Sequence, residues 1–71
     1  MVRLRLREVL EARNISQGKL SRMTDVSLNT IQLLCRNPYH DVLLSTLARI
    51  AKGLEVEISD LYEMVPDEQN Q

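Results

Sequence analysis

The stretch ISQGKLSRMTDVSLNTIQLLCRNP, from Ile15 to Pro38, constrains the fold more tightly than any other part of the chain. It holds two helix starts and two helix stops with almost nothing between them. Ser16 and Ser27 are each placed to cap a helix, because a serine hydroxyl accepts from amide groups that a helix start leaves without partners. The spacing predicts one helix from Gln17 to about Thr24 and another from Leu28 to Arg36, with Asp25 making the turn. Asn37 and Pro38 then end the second helix, asparagine tolerating the left-handed conformation and proline being unable to continue.

Around this unit the periodicity predicts three more helices. Leu6, Val9, Leu10 and Ile15 follow helical spacing, with arginines and glutamates on the other face and Asn14 as the stop. The start falls between Arg3 and Leu6, since Val-Arg-Leu-Arg-Leu at residues 2–6 fits a short strand equally well. After a loop from Pro38 to about Val42, the apolar positions Leu44, Leu47, Ala48, Ile50, Ala51 and Leu54 give a fourth helix. Ile58, Leu61 and Tyr62, with Met64 or Val65, give a short fifth. The expected architecture is an all-α domain of five short helices over residues 1–65. Residues 66–71, polar and acidic, are expected to be a disordered tail.

A chain of 71 residues makes one domain and leaves little room for both a core and a catalytic pocket. With no Phe, no Trp and two Tyr, that core must be Leu, Ile, Val and Met. The single cysteine, Cys35, cannot form an internal disulfide, and its place on the inner side of its helix marks it as a small core residue. No signal peptide and no run of about 18 apolar residues is present, so a reducing cytoplasm fits best. One histidine and two isolated glycines supply no Ser/His/Asp set, no metal-ligand cluster and no phosphate-cradling loop. No enzymatic activity, metal, cofactor or small-molecule ligand is expected.

The net charge of −1 conceals a sharp segregation. Residues 1–52 hold all nine basic side chains against four acids, leaving +5, whereas residues 53–71 hold six acids and no base. A basic front of that size suits a polyanion, and the acidic end must lie away from it.

On the helix 28–36, about 100° per residue gathers Ile31, Leu34 and Cys35 on one side and Asn29, Gln32, Leu33 and Arg36 on the other. In the preceding helix Ser21 is small enough to let its neighbour cross closely and steeply, which is helix-turn-helix geometry. The pattern Gln17-x-x-Leu20-Ser21-x-x-Thr24-Asp25-Val26-Ser27-x-x-x-Ile31 resembles the helix-turn-helix of the Cro and phage-repressor (XRE) family. Leu44-x-x-Leu47-x-x-Ile50-Ala51-x-x-Leu54-x-Val56 and Asp60-Leu61 resemble that family's fourth and fifth helices, so the likeness spans roughly residues 4–65. It implies a lambda-repressor-like transcriptional regulator, usually dimeric, reading a palindromic operator in double-stranded DNA with its third helix. Asp25 and Asn37 stand where the family has glycine, Ser21 where it has alanine, and Glu55 where the fourth helix ends in glycine, with Gly53 two residues early. Asp and Asn are both enriched at positive φ.

Asn29, Gln32 and Leu33 are the candidates for base edges, with Ser27, Leu28 and Thr30 beside them. Asn and Gln pair bidentately with adenine, and a leucine packs on a thymine methyl. Ser16 and Gln17 match family positions that contact phosphate, and Arg36, Tyr39 and His40 lie in or near the loop that approaches the backbone. Arg7 or Arg13 could add to these. Val42, Leu43, Leu61, Tyr62, Met64 and Val65 exceed what so small a core hides and are the candidates for a homodimer contact. The alternative is a helical protein-interaction module, antitoxin-like or adaptor, that keeps the fold without an operator. The basic front separates the two, because a module binding only protein has no use for it.

Overall fold

The alternating N-terminus resolves as a strand rather than as the first turn of a helix. In the computed structural model, which describes residues 1–67, β1 covers Val2–Leu4 and is followed by α1 (Leu6–Arg13), α2 (Gln17–Thr24), α3 (Leu28–Arg36) and α4 (Leu44–Leu54). A 3₁₀ turn at Ile58–Leu61 then leads into β2 (Tyr62–Met64). The expected all-α, five-helix architecture is therefore corrected to four α-helices, one 3₁₀ turn and a two-stranded antiparallel sheet. The physical reason lies in the partner strand: Val2 pairs with Met64, Arg3 with Glu63 and Leu4 with Tyr62. Two strands far apart in sequence satisfy each other's backbone groups, which neither segment's own periodicity reports. Of the expected tail, Pro66 and Asp67 are described, with the Asp67 carboxylate 2.7 Å from the Met1 ammonium. Residues 68–71 lie outside the described residues.

Of the two strands, β1 buries Leu4, while Tyr62 of β2 is half-buried and Glu63 and Met64 are exposed. Leu4, Leu6, Leu20, Ile31, Ile50 and Leu61 are almost wholly buried, so the core runs from the sheet through all four helices. Leu10, Val26, Leu34, Leu47, Ala51 and Leu54 complete it. Leu61 therefore belongs to the protomer's own interior and has no surface left for a second chain, which removes it from the dimer candidates.

Two helix ends differ from what the sequence suggests. Asn37 is extended (φ −124°, ψ 92°) rather than left-handed. Pro38 disfavours helical backbone in the residue before it, and the Asn37 side chain instead accepts from the Tyr39 amide at 3.2 Å. The end of α4 explains both Gly53 and Glu55. The helix continues to Leu54, and Glu55 takes the left-handed conformation (φ 60°) that glycine usually supplies. Gly53 sits inside the helix because a Cβ there would overlap the Thr24 Cγ2 methyl at the end of α2.

Candidate nucleic-acid interface

The turn between α2 and α3 is fixed by four hydroxyl contacts drawn from residues that sequence alone reads as small or polar. Ser16 accepts from the Lys19 amide and Ser27 from the Thr30 amide, each at 3.1 Å, so both helix starts are capped. Asp25 holds φ at 59°, the left-handed value a tight helix exit needs. Ser21 donates to the Val26 carbonyl at 2.7 Å, and Thr24 donates to the Leu20 carbonyl at 2.7 Å. The replacement of a family alanine by Ser21 thus adds a bond to the turn instead of disturbing it. Val26, 5% exposed, plugs the corner between the two helices.

Held this way, α3 buries Ile31, Leu34 and Cys35 and turns its other side outward. Leu28, Asn29, Gln32 and Arg36 are exposed, while Thr30 and Leu33 are half-buried. The amides of Asn29 and Gln32 make no hydrogen bond to any described residue, so the fold leaves both uncommitted. Ser27 donates to the Thr30 hydroxyl at 2.9 Å, which orients the two groups at the first turn. Ser16 is exposed and Gln17 half-buried at the start of α2; Tyr39 and His40 are exposed in the loop that follows α3.

The arginines divide into engaged and free. Arg3 bridges Glu8 at 2.9 Å and Glu63 at 3.0 Å, and these bonds raise its pKa. Burial pushes the Glu8 carboxyl up, but the Arg3 hydrogen bond, a backbone hydrogen bond and the charges of Arg3 and Arg5 together hold it below the usual carboxylate range. Arg7 bridges Glu11 at 3.4 Å across one exposed helical turn. Arg13 donates to the Leu54 carbonyl at 3.2 Å and so ties α1 to the end of α4. Lys19, Arg22 and Arg36 are exposed and form no ion pair among the described residues. The sequence reading singled out only Arg36 of these three; Lys19 and Arg22 were legible as exposed basic positions on the helix that carries the phosphate-contact candidates.

Cys35 lies against Arg7 and Glu11, 7% exposed. Burial pushes its thiol up, with Arg7 pulling the other way. Among the described residues no three His, Cys, Asp or Glu side chains gather as a metal site, and no described helix is long and apolar enough to cross a membrane.

A second surface lies at the other end of the chain. Leu43, Leu44 and Met64 are 72%, 67% and 69% exposed, large values for apolar side chains that a single protomer had the chance to bury. Leu44 and Met64 border an open groove of about 650 Å³ shared with Met1, Val2, Tyr39, His40, Asp41, Val42, Leu47 and Tyr62. Of the expected dimer contacts, Val42, Tyr62 and Met64 line this groove, while Leu43 is exposed and Val65 half-buried outside its lining. Met1, Val2, Tyr39 and Leu44 belong to the same patch, which linear spacing could not reveal because the strand pairing assembles it.

A family model described as the Cro/C1-type helix-turn-helix DNA-binding domain matches residues 5–67. Among solved structures, the chain is similar to a crystal structure from Bacteroides fragilis of a protein put forward as DNA-binding. The two are 27% identical, with a TM-score of 0.77, and the match covers 89% of this chain and 100% of that one. Among curated proteins, none matches the sequence.

Proposed function

This chain belongs to the Cro/C1-type helix-turn-helix DNA-binding family, and from that premise we propose that it is a sequence-specific transcriptional regulator, acting as a repressor, that reads a palindromic operator as a dimer. The observation that carries the reading is the outer face of α3, where Asn29 and Gln32 are exposed and unengaged on a helix whose orientation the turn fixes. Both side chains present a donor and an acceptor together, the pattern that matches adenine N6 and N7 in the major groove. Leu28 and Leu33 supply apolar contact for thymine methyls, so the preferred site leans towards A·T pairs. Ser27 and Thr30 lie at the tip of the helix, within the same surface.

Phosphate contact falls to Ser16 and Gln17 at the start of α2, to Arg36 and to Tyr39 and His40 beyond it. The half-buried Gln17 and the free amide groups of the first turn suit an anion. A dimer through the apolar end would place two α3 helices one DNA turn, about 34 Å, apart. It would also keep Glu55, Glu57, Asp60, Glu63 and Asp67 clear of phosphate.

The test begins with duplexes selected from a random-sequence library, bound in a gel shift at two salt concentrations. Asn29→Ala should cost about 1–3 kcal/mol on the selected site and far less on random DNA. Arg36→Ala should weaken both alike and lower the salt slope by about 1. Equal losses for Asn29→Ala on both DNAs would remove it from base reading. Failure of the wild type to select any duplex would favour the protein-interaction module instead.

A further inference from the structure

A hydroxyl inside a helix ordinarily turns back on its own helix and bonds the carbonyl four residues earlier, as Thr24 does by donating to Leu20 at 2.7 Å. Ser21 reaches the other way. Its hydroxyl leaves α2 and donates forward to the Val26 carbonyl at 2.7 Å, while its own carbonyl accepts the Asp25 amide at 3.1 Å. One residue thus holds two successive residues of the turn. The peptide it grips joins Val26 to Ser27, whose side chain caps α3. Val26 is 5% exposed and its amide meets the Thr24 hydroxyl at 3.4 Å, so its side chain and N–H are anchored in the body of the domain. Among the described residues, the Val26 carbonyl has the Ser21 hydroxyl as its one partner.

Resting on the base-reading role of α3 above, we propose that Ser21 is a positioning residue for sequence discrimination: through the Val26 carbonyl its hydroxyl fixes the angle at which α3 leaves the turn, and so where Gln32 meets the bases. Leverage makes that angle matter. Asn29 lies three residues beyond Val26 and Gln32 six. At 1.5 Å per residue these are about 4.5 and 9 Å along the axis, so a tilt of only about 5° at the turn shifts them by about 0.4 and 0.8 Å. N–H···O bonds occupy a window of about 0.5 Å in length and weaken as their angle opens, so the shift at Gln32 is enough to break a bidentate pair with adenine. Phosphate contacts tolerate the same tilt, because the exposed Lys19, Arg22 and Arg36 end long side chains that follow a displaced phosphate. The Ser21 proton is already given to Val26, which removes the hydroxyl as a donor to DNA in its own right. Loss of the hydroxyl therefore falls on discrimination rather than on affinity for DNA in general.

Substitutions in the full chain test this. Ser21→Ala removes one oxygen and leaves a better helix former; propensity gained and bond lost nearly offset, and Tm should stay within about 5 °C of the wild type. On the selected duplex the variant should bind at least about fivefold more weakly, the low end of a lost bidentate pair, and on random duplex within about twofold of the wild type. Ser21→Thr keeps the hydroxyl and should match the wild type on both. In a Gln32→Ala background Ser21→Ala should cost less than about twofold on the selected duplex, because the amide it positions is gone. Equal affinities of Ser21→Ala and wild type, equal losses on both duplexes, a Ser21→Thr no better than Ser21→Ala, or an undiminished loss in the Gln32→Ala background would each overturn the proposal.

Amide hydrogen exchange on the free protein supplies a readout that needs no DNA. The Thr30 and Ile31 amides bond the Ser27 hydroxyl and carbonyl, each at 3.1 Å, just as the Lys19 and Leu20 amides bond Ser16 at 3.1 and 3.0 Å. Ser21→Ala should speed exchange at Thr30 and Ile31 at least about fivefold relative to Lys19 and Leu20, since local opening at the start of α3 leaves the start of α2 untouched. Unchanged relative rates would overturn the positioning role. A wild type that selects no duplex sinks the operator reading and the discrimination role with it, whereas a protein that selects a duplex and loses no discrimination in Ser21→Ala overturns the Ser21 assignment alone.

Discussion

Gly53→Ala should destabilise the protein although it replaces the poorest helix former but one with the best. In an open helix that exchange gains about 1 kcal/mol, because glycine gives up more backbone freedom on folding than alanine does. Here the new methyl would overlap Thr24 Cγ2, and Thr24 is 8% exposed and fixed by its hydroxyl bond to Leu20, so it cannot swing aside. Forcing an extra carbon into a packed site costs about 1–3 kcal/mol, which leaves a net loss of up to about 2 kcal/mol. For a domain of this size each kcal/mol lowers Tm by roughly 4–8 °C. The companion substitution is Thr24→Ser, which removes the methyl and keeps the hydroxyl bond. In that background Gly53→Ala should be neutral or stabilising, so thermal melts of the four proteins should give a coupling energy of about 1–3 kcal/mol. A higher Tm for Gly53→Ala in the presence of the native Thr24 would refute the steric argument. Simple additivity of the two changes would refute it as well.

The left-handed residue at the end of α4 gives an opposite expectation: Glu55→Gly should stabilise the protein by up to about 1 kcal/mol and raise Tm, and Glu55→Val should lower it, both read by thermal melts. Cys35, buried and with its thiol pushed above the ordinary range, should react with a disulfide reagent at least tenfold more slowly than an exposed cysteine at pH 7 to 8. Denaturant should abolish the difference, and fast labelling of the folded protein would contradict the buried placement.

The helix-turn-helix was legible in the sequence because every device that builds it is local. Ser16 and Ser27 cap within three residues, Asp25 supplies its own left-handed turn, and the faces of α3 follow from its period. What the sequence hid was set by partners distant along the chain. The strand at Val2–Leu4 needs Tyr62–Met64 some sixty residues away, and without that partner the Ile58–Met64 pattern reads as a helix. Gly53 looks misplaced until Thr24, on another helix, is brought beside it. Asn37 departs from the expected left-handed stop for a local reason of the opposite kind, since the restraint imposed by Pro38 outweighs asparagine's tolerance of positive φ. The dimer candidates fared in the same way: hydropathy could name Leu61 as apolar but not tell that the core takes it and leaves Leu43, Leu44 and Met64 outside.

The charge pattern shows the same division between what composition states and what packing decides. Formal counting gives the first 52 residues a surplus of five positive charges and invites α1, the helix richest in arginine nearby, to share in holding phosphate. The ion pairs answer otherwise. Arg3 is held between two carboxylates and Arg7 leans on Glu11, while Arg13 is tied to a backbone carbonyl of α4. A cation already paired brings less net field to an incoming polyanion, and an arginine bound within the fold has given up part of its reach. Of the exposed cations that form no ion pair among the described residues, Lys19, Arg22 and Arg36 lie on α2 and α3, Arg49 and Lys52 on α4, and Arg5 just before α1. The helices whose other side chains are free to face a groove thus carry three uncommitted cations of their own, while Arg7 and Arg13 of α1 are engaged within the fold.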